Sequence, residues 1–207
     1  MAVIRKDFRY KVIKNFFNET ELKLLQTYCL KALDDPSSIL SQRTESSFAI
    51  AFSQDQLMET LLQLKKEIVE KECGLDLWKT YSYWRWYGFG SYLKDHTDRP
   101  ACEISITACI TKTDDWPLTI KGKEIELDQG DALLYLGTEE SHGRTGIYKG
   151  DGLAQVFMHY VDKSGPFTHH ADDNYTKTHF NKWSPEDKEY ILKLGLERSW
   201  LNDYKRQ

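Results

Sequence analysis

The sequence predicts an α+β protein whose core is a double-stranded β-helix, the jelly roll formed by two facing sheets. Two observations carry this prediction. Helical periodicity is confined to the first part of the chain, and from residue 77 onward it gives way to short runs of aromatic and β-branched residues separated by Gly, Asp and Pro. Helices followed by many short strands indicate an α+β protein with a double-sheet core.

A chain of 207 residues suits one domain. We predict a single domain over 1–207, in which 1–76 is mainly helical support, 77–161 is the jelly-roll core, and 162–207 is a polar loop followed by a C-terminal helix. Supporting helices are predicted over 20–33, after capping residues near Asn18, and over 54–72, which Gly74 ends.

The remaining elements follow from local patterns. Residues 7–17 predict a short first strand, and Ser184-Pro185 opens the final helix with Ser at the cap and Pro at the first helical position. Turn residues at 128–131 separate two of the later strands. Core strands are predicted near 78–87, 102–111, 117–121, 124–127, 132–136, 141–148 and 153–161.

Composition and charge exclude several classes of function. The net charge is −4 without a stripe of Lys and Arg, so a nucleic-acid partner is not expected. No apolar run approaches the roughly 18 residues that span a membrane, so no membrane partner is expected either. The four cysteines form no CxxC pair and the chain opens without an apolar signal segment, which predicts reduced thiols and a cytoplasmic location.

A His-x-Asp motif at His96 and Asp98 is the central chemical feature. It follows a Gly-punctuated aromatic stretch, 83–90, and precedes an evident strand, 103–110. In an extended segment the residues at i and i+2 project to one side, so both side chains can reach one ion. His142, in a later predicted strand, supplies a third ligand. Two His and one carboxylate leave three octahedral positions open, as in non-heme Fe(II) sites.

The chain also contains a second His-x-Asp sequence, His170-Ala171-Asp172. It stands with His169 and His179 in a polar tract after Gly165-Pro166. This setting predicts a solvated loop, with a role at the rim of an active site or in accessory metal binding as the alternative.

The ordered motifs from residue 10 to 161 resemble the 2-oxoglutarate/Fe(II)-dependent oxygenase superfamily, particularly its prolyl-4-hydroxylase-like branch. The resemblance rests on 12–17 ahead of a capped helix, on 87–93 ahead of the His-x-Asp motif, and on 130–135 ahead of the distal His142. It implies Fe(II), 2-oxoglutarate and O₂ as cofactor and co-substrates. The implied reaction converts 2-oxoglutarate to succinate and CO₂ and hydroxylates a C–H bond of a peptide or small-molecule substrate.

The chain departs from the family pattern at one position. Shortly after the distal His the family places an Arg or Lys that holds the 5-carboxylate of 2-oxoglutarate, whereas this chain has Asp151 and Gly152. Arg144 is our first candidate for that charge because on a strand it shares the face of His142, and a guanidinium suits bidentate carboxylate binding. Lys149, near a predicted turn, is the second candidate.

Other co-substrate contacts are suggested. The resemblance aligns Tyr87 with a tyrosine that hydrogen-bonds the co-substrate, with core packing as the alternative, and strand alternation suggests that Thr107 faces the same pocket. His159, on the last predicted strand, is expected to be a hydrogen-bonded core or pocket residue.

Two other functions are open to the sequence. One is a cupin-like metal dioxygenase that does not use 2-oxoglutarate, which the missing basic residue favours. The other is a non-catalytic jelly-roll binding module, which the intact set of three candidate ligands disfavours.

Overall fold

In the part of the chain that the structure describes, two antiparallel sheets face each other and two helices cover the outer face of the larger sheet. The computed structural model describes residues 9–35, 43–44, 49–53 and 55–172, all within one compact unit, Met1–Asp172. The predicted jelly-roll fold is confirmed. The predicted helix from Ser184 and the extension of a single domain to residue 207 lie outside the described residues.

The larger sheet has seven strands in the order β1-β8-β5-β10-β4-β3-β2, all antiparallel neighbours. The central strands β5, β10 and β4 are the longest. Neighbouring strands such as β1 and β8, or β5 and β10, are far apart in sequence, so the sheet has a Greek-key arrangement and is not a meander. The strands are β1 (Tyr10–Ile13), β2 (Arg43–Thr44), β3 (Ala49–Ser53), β4 (Leu77–Tyr87), β5 (Ile104–Lys112), β8 (Ala132–Leu136) and β10 (Leu153–Asp162).

The smaller sheet has three short strands in the order β7-β6-β9. They are β6 (Leu118–Ile120), β7 (Lys123–Ile125) and β9 (His142–Arg144). An isolated antiparallel bridge between His96 and His142 adds the segment of the His-x-Asp motif to the free side of β9. The motif is therefore extended, as predicted, but it forms one bridge rather than a full strand.

Both helices begin at side-chain caps. Helix α1 (Glu19–Asp34) starts at Asn18, which forms a reciprocal capping box with Glu21. Helix α2 (Gln56–Cys73) starts at Asp55, and Gly74 ends it in the left-handed region at φ 70°. Of these two described helices, neither is long and apolar enough to cross a membrane.

The central strands are buried on both faces. Even-numbered residues of β5, such as Ile104 and Ile106, belong to the core shared with the helices, whereas Cys109 belongs to the core between the two sheets. The same alternation in β10 sends Val156 toward the helices and Phe157 toward the smaller sheet. Side chains that point between the sheets are therefore the ones available to a site.

Two details of the sheets differ from the sequence-based expectation. The predicted strand 141–148 ends at Arg144, because Gly146 at φ 68° takes the chain out of extended conformation. Strands β2 and β3 were not predicted. β3 (AIAFS) is rich in small residues of low strand propensity, and it is a strand because it pairs along β4 from Tyr83 to Tyr87.

Candidate metal centre

His96, Asp98 and His142 meet at one point between the sheets. The Oδ1 atom of Asp98 lies 3.7 Å from Nε2 of His96 and 3.5 Å from Nε2 of His142. A candidate ligand atom from each of the three residues lies within 4.8 Å of the other two. The sequence-predicted metal ligands are thus brought together.

The hydrogen bonds of the two imidazoles decide which nitrogen faces the metal position. Nδ1 of His96 lies 2.9 Å from the carbonyl oxygen of Lys94, and Nδ1 of His142 lies 2.8 Å from that of Glu140. A carbonyl only accepts hydrogen bonds, so each Nδ1 carries the hydrogen and donates it. In the neutral form of each ring the Nε2 lone pair therefore faces Asp98, which is the tautomer a metal ligand needs.

Backbone hydrogen bonds hold the ligands in register. His96 and His142 exchange both N–H···O bonds at 2.9 Å, and Asp98 N–H donates to the carbonyl of Gly137 at 2.8 Å. Gly137 allows this approach because a Cβ there would lie 2.5 Å from Oδ2 of Asp98 and 2.3 Å from the carbonyl oxygen of Cys102. The sequence does not mark Gly137 as a site residue, since only the folded chain shows what surrounds it.

The Asp98 carboxylate is held on its other side. Ser105 Oγ lies 3.0 Å from Oδ2 of Asp98 and 3.0 Å from Nδ1 of His159. Burial by itself would raise the pKa of Asp98, but its contacts with His142 and with the hydroxyl of Ser105 outweigh burial and hold that pKa below its usual range. For His142, burial would lower the pKa, and Asp98 outweighs it and raises it. A positive charge next to the Asp98 carboxylate is therefore stabilised, and a divalent cation bound there would supply it.

A cavity of about 370 Å³ opens in front of the three ligands. Aromatic side chains form much of its wall, and Asp98 is its one carboxylate among the described lining residues. The lining residues are Tyr83, Arg85, Tyr92, Leu93, Lys94, His96, Asp98, Thr107, Leu118, Tyr135, His142, Phe157 and His159.

Arg144 is buried on β9 two residues beyond His142, as predicted, but it is not among the residues that line this cavity. Its Nη2 donates to Oε1 of Gln155 at 2.6 Å, and its guanidinium lies 4.6 Å from the ring of Trp116. Its Nε has no hydrogen-bond partner among the described residues. Burial lowers the pKa of Arg144 to about 10.

The other three predicted co-substrate residues have different surroundings. Thr107 lines the cavity, and its Oγ1 lies 3.3 Å from the hydroxyl of Tyr135. Tyr87 is fully buried and does not line it, although its hydroxyl accepts a hydrogen bond of 3.1 Å from Arg85. Lys149 is exposed in the loop between β9 and β10 and is likewise absent from the cavity wall.

Arg85 is the arginine among the described residues that line the cavity, and it was not predicted from the sequence. It lies on β4 between Tyr83 and Tyr87, with its side chain on their face of the strand. The signal was available, because the period of two that directs Tyr87 inward also directs Arg85 inward.

His159 is a buried cavity residue, as expected. The hydroxyl of Ser105 donates its single hydrogen to an acceptor, Asp98 or the carbonyl of Cys102, so it accepts from Nδ1 of His159. Nε2 of His159 has no partner among the described residues, and burial lowers the pKa of the ring to about 4. The ring is therefore neutral at neutral pH.

The second His-x-Asp sequence forms no comparable site in the described part of the chain. Residues Thr168–His170 form a 3-10 turn, and Asp172 pairs with Lys79 at 2.8 Å. This agrees with the solvated loop expected for the tract. His179 lies outside the described residues.

Comparison with known proteins shows the fold. No protein-family model and no curated protein matches the sequence. The solved structures that match include the non-heme alpha-ketoglutarate-dependent carbocyclase SnoK from nogalamycin biosynthesis, at 11% identity and TM-score 0.64 over 89% of this chain and 92% of that chain. The chain has the fold of the 2-oxoglutarate-dependent oxygenases.

Two further structures show how widely this fold is shared. The viral collagen prolyl hydroxylase of Paramecium bursaria chlorella virus 1 matches at 12% identity and TM-score 0.56, over 77% of this chain and 98% of that chain. EctD from S. alaskensis, solved with 2-oxoglutarate and 5-hydroxyectoine, matches at 16% identity and TM-score 0.61, over 79% and 77%. The fold resemblance inferred from the sequence is thus confirmed.

Proposed function

We propose that the protein is an Fe(II)- and 2-oxoglutarate-dependent dioxygenase that hydroxylates an unactivated C–H bond and releases succinate and CO₂. One observation carries the proposal. Two imidazoles with their Nε2 lone pairs directed at one carboxylate oxygen stand at the wall of a cavity, in the fold that these oxygenases use.

The three side chains fit the metal that the proposal requires. Nε2 of His96, Nε2 of His142 and Oδ1 of Asp98 would hold Fe(II), and a set of two His and one carboxylate leaves positions for a 2-oxo acid and O₂. When bound, the iron and 2-oxoglutarate supply the oxidising chemistry, and the protein supplies position and a dry pocket.

The residues around the ligands have three tasks. Ser105 fixes the orientation of Asp98 through Oδ2, so that Oδ1 remains directed at the imidazoles. The rings of Tyr83, Tyr135 and Phe157 limit the water that reaches the cavity. An arginine binds the distal carboxylate of the co-substrate, and the hydroxyl of Thr107 offers it a hydrogen bond.

For the substrate we propose a prolyl-like residue of a peptide or a small molecule. Two observations support this range. The cavity of about 370 Å³ has the size of small-molecule sites, and the structures of similar fold include a collagen prolyl hydroxylase and a protein solved with 5-hydroxyectoine.

The test is an anaerobic titration of the Fe(II)-loaded protein with 2-oxoglutarate, followed by visible spectroscopy. Chelation by the 2-oxo acid is expected to give a weak metal-to-ligand charge-transfer band. Asp98→Ala, which removes one metal ligand, should lose both the band and iron binding while its far-UV circular dichroism remains that of the original protein.

Other outcomes separate the alternatives. Iron binding without a band would favour a cupin-like dioxygenase that does not use 2-oxoglutarate. Failure to bind iron at all would leave a non-catalytic binding module and would refute the metal assignment.

A further inference from the structure

We infer that Arg85, and not the basic residues nearest to His142 in sequence, binds the distal carboxylate of the 2-oxo acid co-substrate. The inference rests on the proposed function and adds to it the residue that selects a dicarboxylate. Among the described lining residues of the metal cavity, the cationic side chains other than the candidate ligands are Arg85 and Lys94, and Lys94 is exposed at the rim. A dianion seated inside the cavity therefore meets Arg85.

The sheet register explains how Arg85 replaces the basic residue that is missing after His142. The chain enters β10 directly after Gly152, and its first residues directed between the sheets are Leu153 and Gln155, neither of them charged. Gln155 is paired across the strands with Arg85. The basic side chain is thus on β4, the strand paired with β10, and it still lies in the interior of the jelly roll.

The surroundings of Arg85 orient its guanidinium. The guanidinium carbon lies 5.4 Å from the ring of Tyr83, 5.5 Å from that of Phe157 and 5.8 Å from that of Tyr87. Its Nη1 also donates to the Tyr87 hydroxyl at 3.1 Å. Contacts with rings involve the faces of a guanidinium, whereas carboxylate binding involves its edge. The rings of Tyr83 and Phe157 therefore fix the group without competing for that geometry, and the hydroxyl of Tyr87 occupies one N–H group of Nη1.

Arg144, in contrast to Arg85, is directed away from the metal cavity and is engaged by other side chains. It is 7% exposed, its Nη2 is bonded to Gln155, and it packs on Trp116 outside the lining of the metal cavity. Together with Gln155 and Trp116, Arg144 encloses only about 10 Å³, which is room for about one water-sized sphere and not for a carboxylate. Arg144 also borders an open cleft of about 690 Å³ outside the lining of the metal cavity, where the carboxylates of Asp95 and Glu124 disfavour a dianion. Arg144 therefore acts as a support that positions Gln155.

The experiment compares two ligands across matched variants. Anaerobic Fe(II)-loaded protein is titrated with 2-oxoglutarate and with 2-oxopentanoate, which has a methyl group in place of the distal carboxylate. Kd is read from the charge-transfer band and, independently, by calorimetry with Co(II) in place of Fe(II). The variants are Arg85→Met, Arg85→Lys and Arg144→Met, and Lys71→Met controls for the loss of one exposed charge far from the cavity.

The original protein is expected to bind 2-oxoglutarate about 10- to 100-fold more tightly than 2-oxopentanoate, the range for one charge-assisted contact. Arg85→Met should raise the Kd of 2-oxoglutarate to that of 2-oxopentanoate and leave the latter unchanged. Arg85→Lys should keep part of the preference, because it retains charge without the planar fork. Arg144→Met and Lys71→Met should keep all of it.

The remaining outcomes overturn the inference. Loss of the preference in Arg144→Met alone would assign the carboxylate to Arg144, loss in both arginine variants would make the site a shared one, and loss in neither would place it elsewhere. Absence of a band with both ligands in the original protein would refute the proposed function itself. Unchanged Co(II) affinity in each variant excludes loss of the fold as the cause of a changed Kd for the 2-oxo acids.

Discussion

At the scale of single residues, the candidate metal centre depends on groups that bind no metal. Asp98 is directed by the hydroxyl of Ser105 and by its N–H bond to Gly137. The absence of a side chain at Gly137 is as important as the presence of the carboxylate, because three polar atoms occupy the space where a Cβ would lie. The geometry of the ligands is thus set by close packing around them.

Gly137→Ala tests this dependence. The new Cβ would lie 2.5 Å from Oδ2 of Asp98 and 2.6 Å from Oγ of Ser105, so the carboxylate must move. We expect Co(II) or Fe(II) affinity to fall at least about tenfold, the lower end for a disturbed outer shell. We also expect about 1–3 kcal/mol less stability from overpacking. Calorimetry and urea unfolding measure the two effects.

Gly88→Ala is the matched control. A Cβ at Gly88 would meet nothing within 4 Å, so metal affinity should be unchanged and stability should shift by about 0.5 kcal/mol or less. Equal metal affinity in Gly137→Ala and in the original protein would show that Asp98 is not held by this contact.

At the scale of elements, Asp55 joins three of them at one carboxylate. Its Oδ1 accepts from the backbone N–H groups of Leu57 and Met58 and caps α2. Its Oδ2 accepts from the hydroxyl of Tyr28 on α1 at 2.8 Å and from the indole of Trp84 on β4 at 3.1 Å. The helices are therefore fixed to the larger sheet by a polar contact as well as by apolar packing.

We expect Asp55→Ala to lower the free energy of unfolding by about 2–4 kcal/mol, because it removes a cap and leaves two partly buried donors without their acceptor. Asn18→Ala, which removes an exposed cap from α1, should cost only about 1 kcal/mol. Urea unfolding followed by circular dichroism compares the two variants. Equal losses would mean that the Tyr28 and Trp84 contacts add nothing to stability.

At the scale of the whole molecule, the larger sheet separates two cores. One face packs on α1 and α2, and the other faces the smaller sheet and the metal cavity. All four cysteines are buried and free: Cys29, Cys73, Cys102 and Cys109. Burial raises the pKa of each thiol, to about 11 for Cys73 and Cys109 and to about 12 for Cys102.

This arrangement predicts the reactivity of the thiols. A raised pKa keeps the reactive thiolate scarce until the pH approaches the shifted value, whereas an ordinary cysteine ionises near pH 8.5. Native protein should therefore react slowly with a thiol reagent between about pH 7 and about pH 9, and denatured protein should release all four equivalents. Rapid labelling of a folded sample would contradict the burial of these side chains.

Much of the fold could be predicted from local sequence. The strand predicted at 78–87 is observed at Leu77–Tyr87, and that predicted at 132–136 is observed with the same bounds, because period and flanking turn residues carry these signals. Helix α1 begins at the predicted cap near Asn18 and α2 ends at the predicted Gly74, whereas the cap of α2 at Asp55 was not predicted. β3 was missed because its strand conformation derives from its pairing with β4 and not from its own residues.

The sequence by itself determined which residue types could form the metal centre, since a His-x-Asp motif in extended backbone directs two ligands to one side whatever surrounds it. Only the tertiary structure decided the rest. The tautomers of His96 and His142, the space kept open by Gly137, and the presence of Arg85 rather than Arg144 at the cavity all depend on contacts between chain segments distant in sequence. Local periodicity assigns a side chain to a face of a strand, but packing across the two sheets determines what that side chain meets.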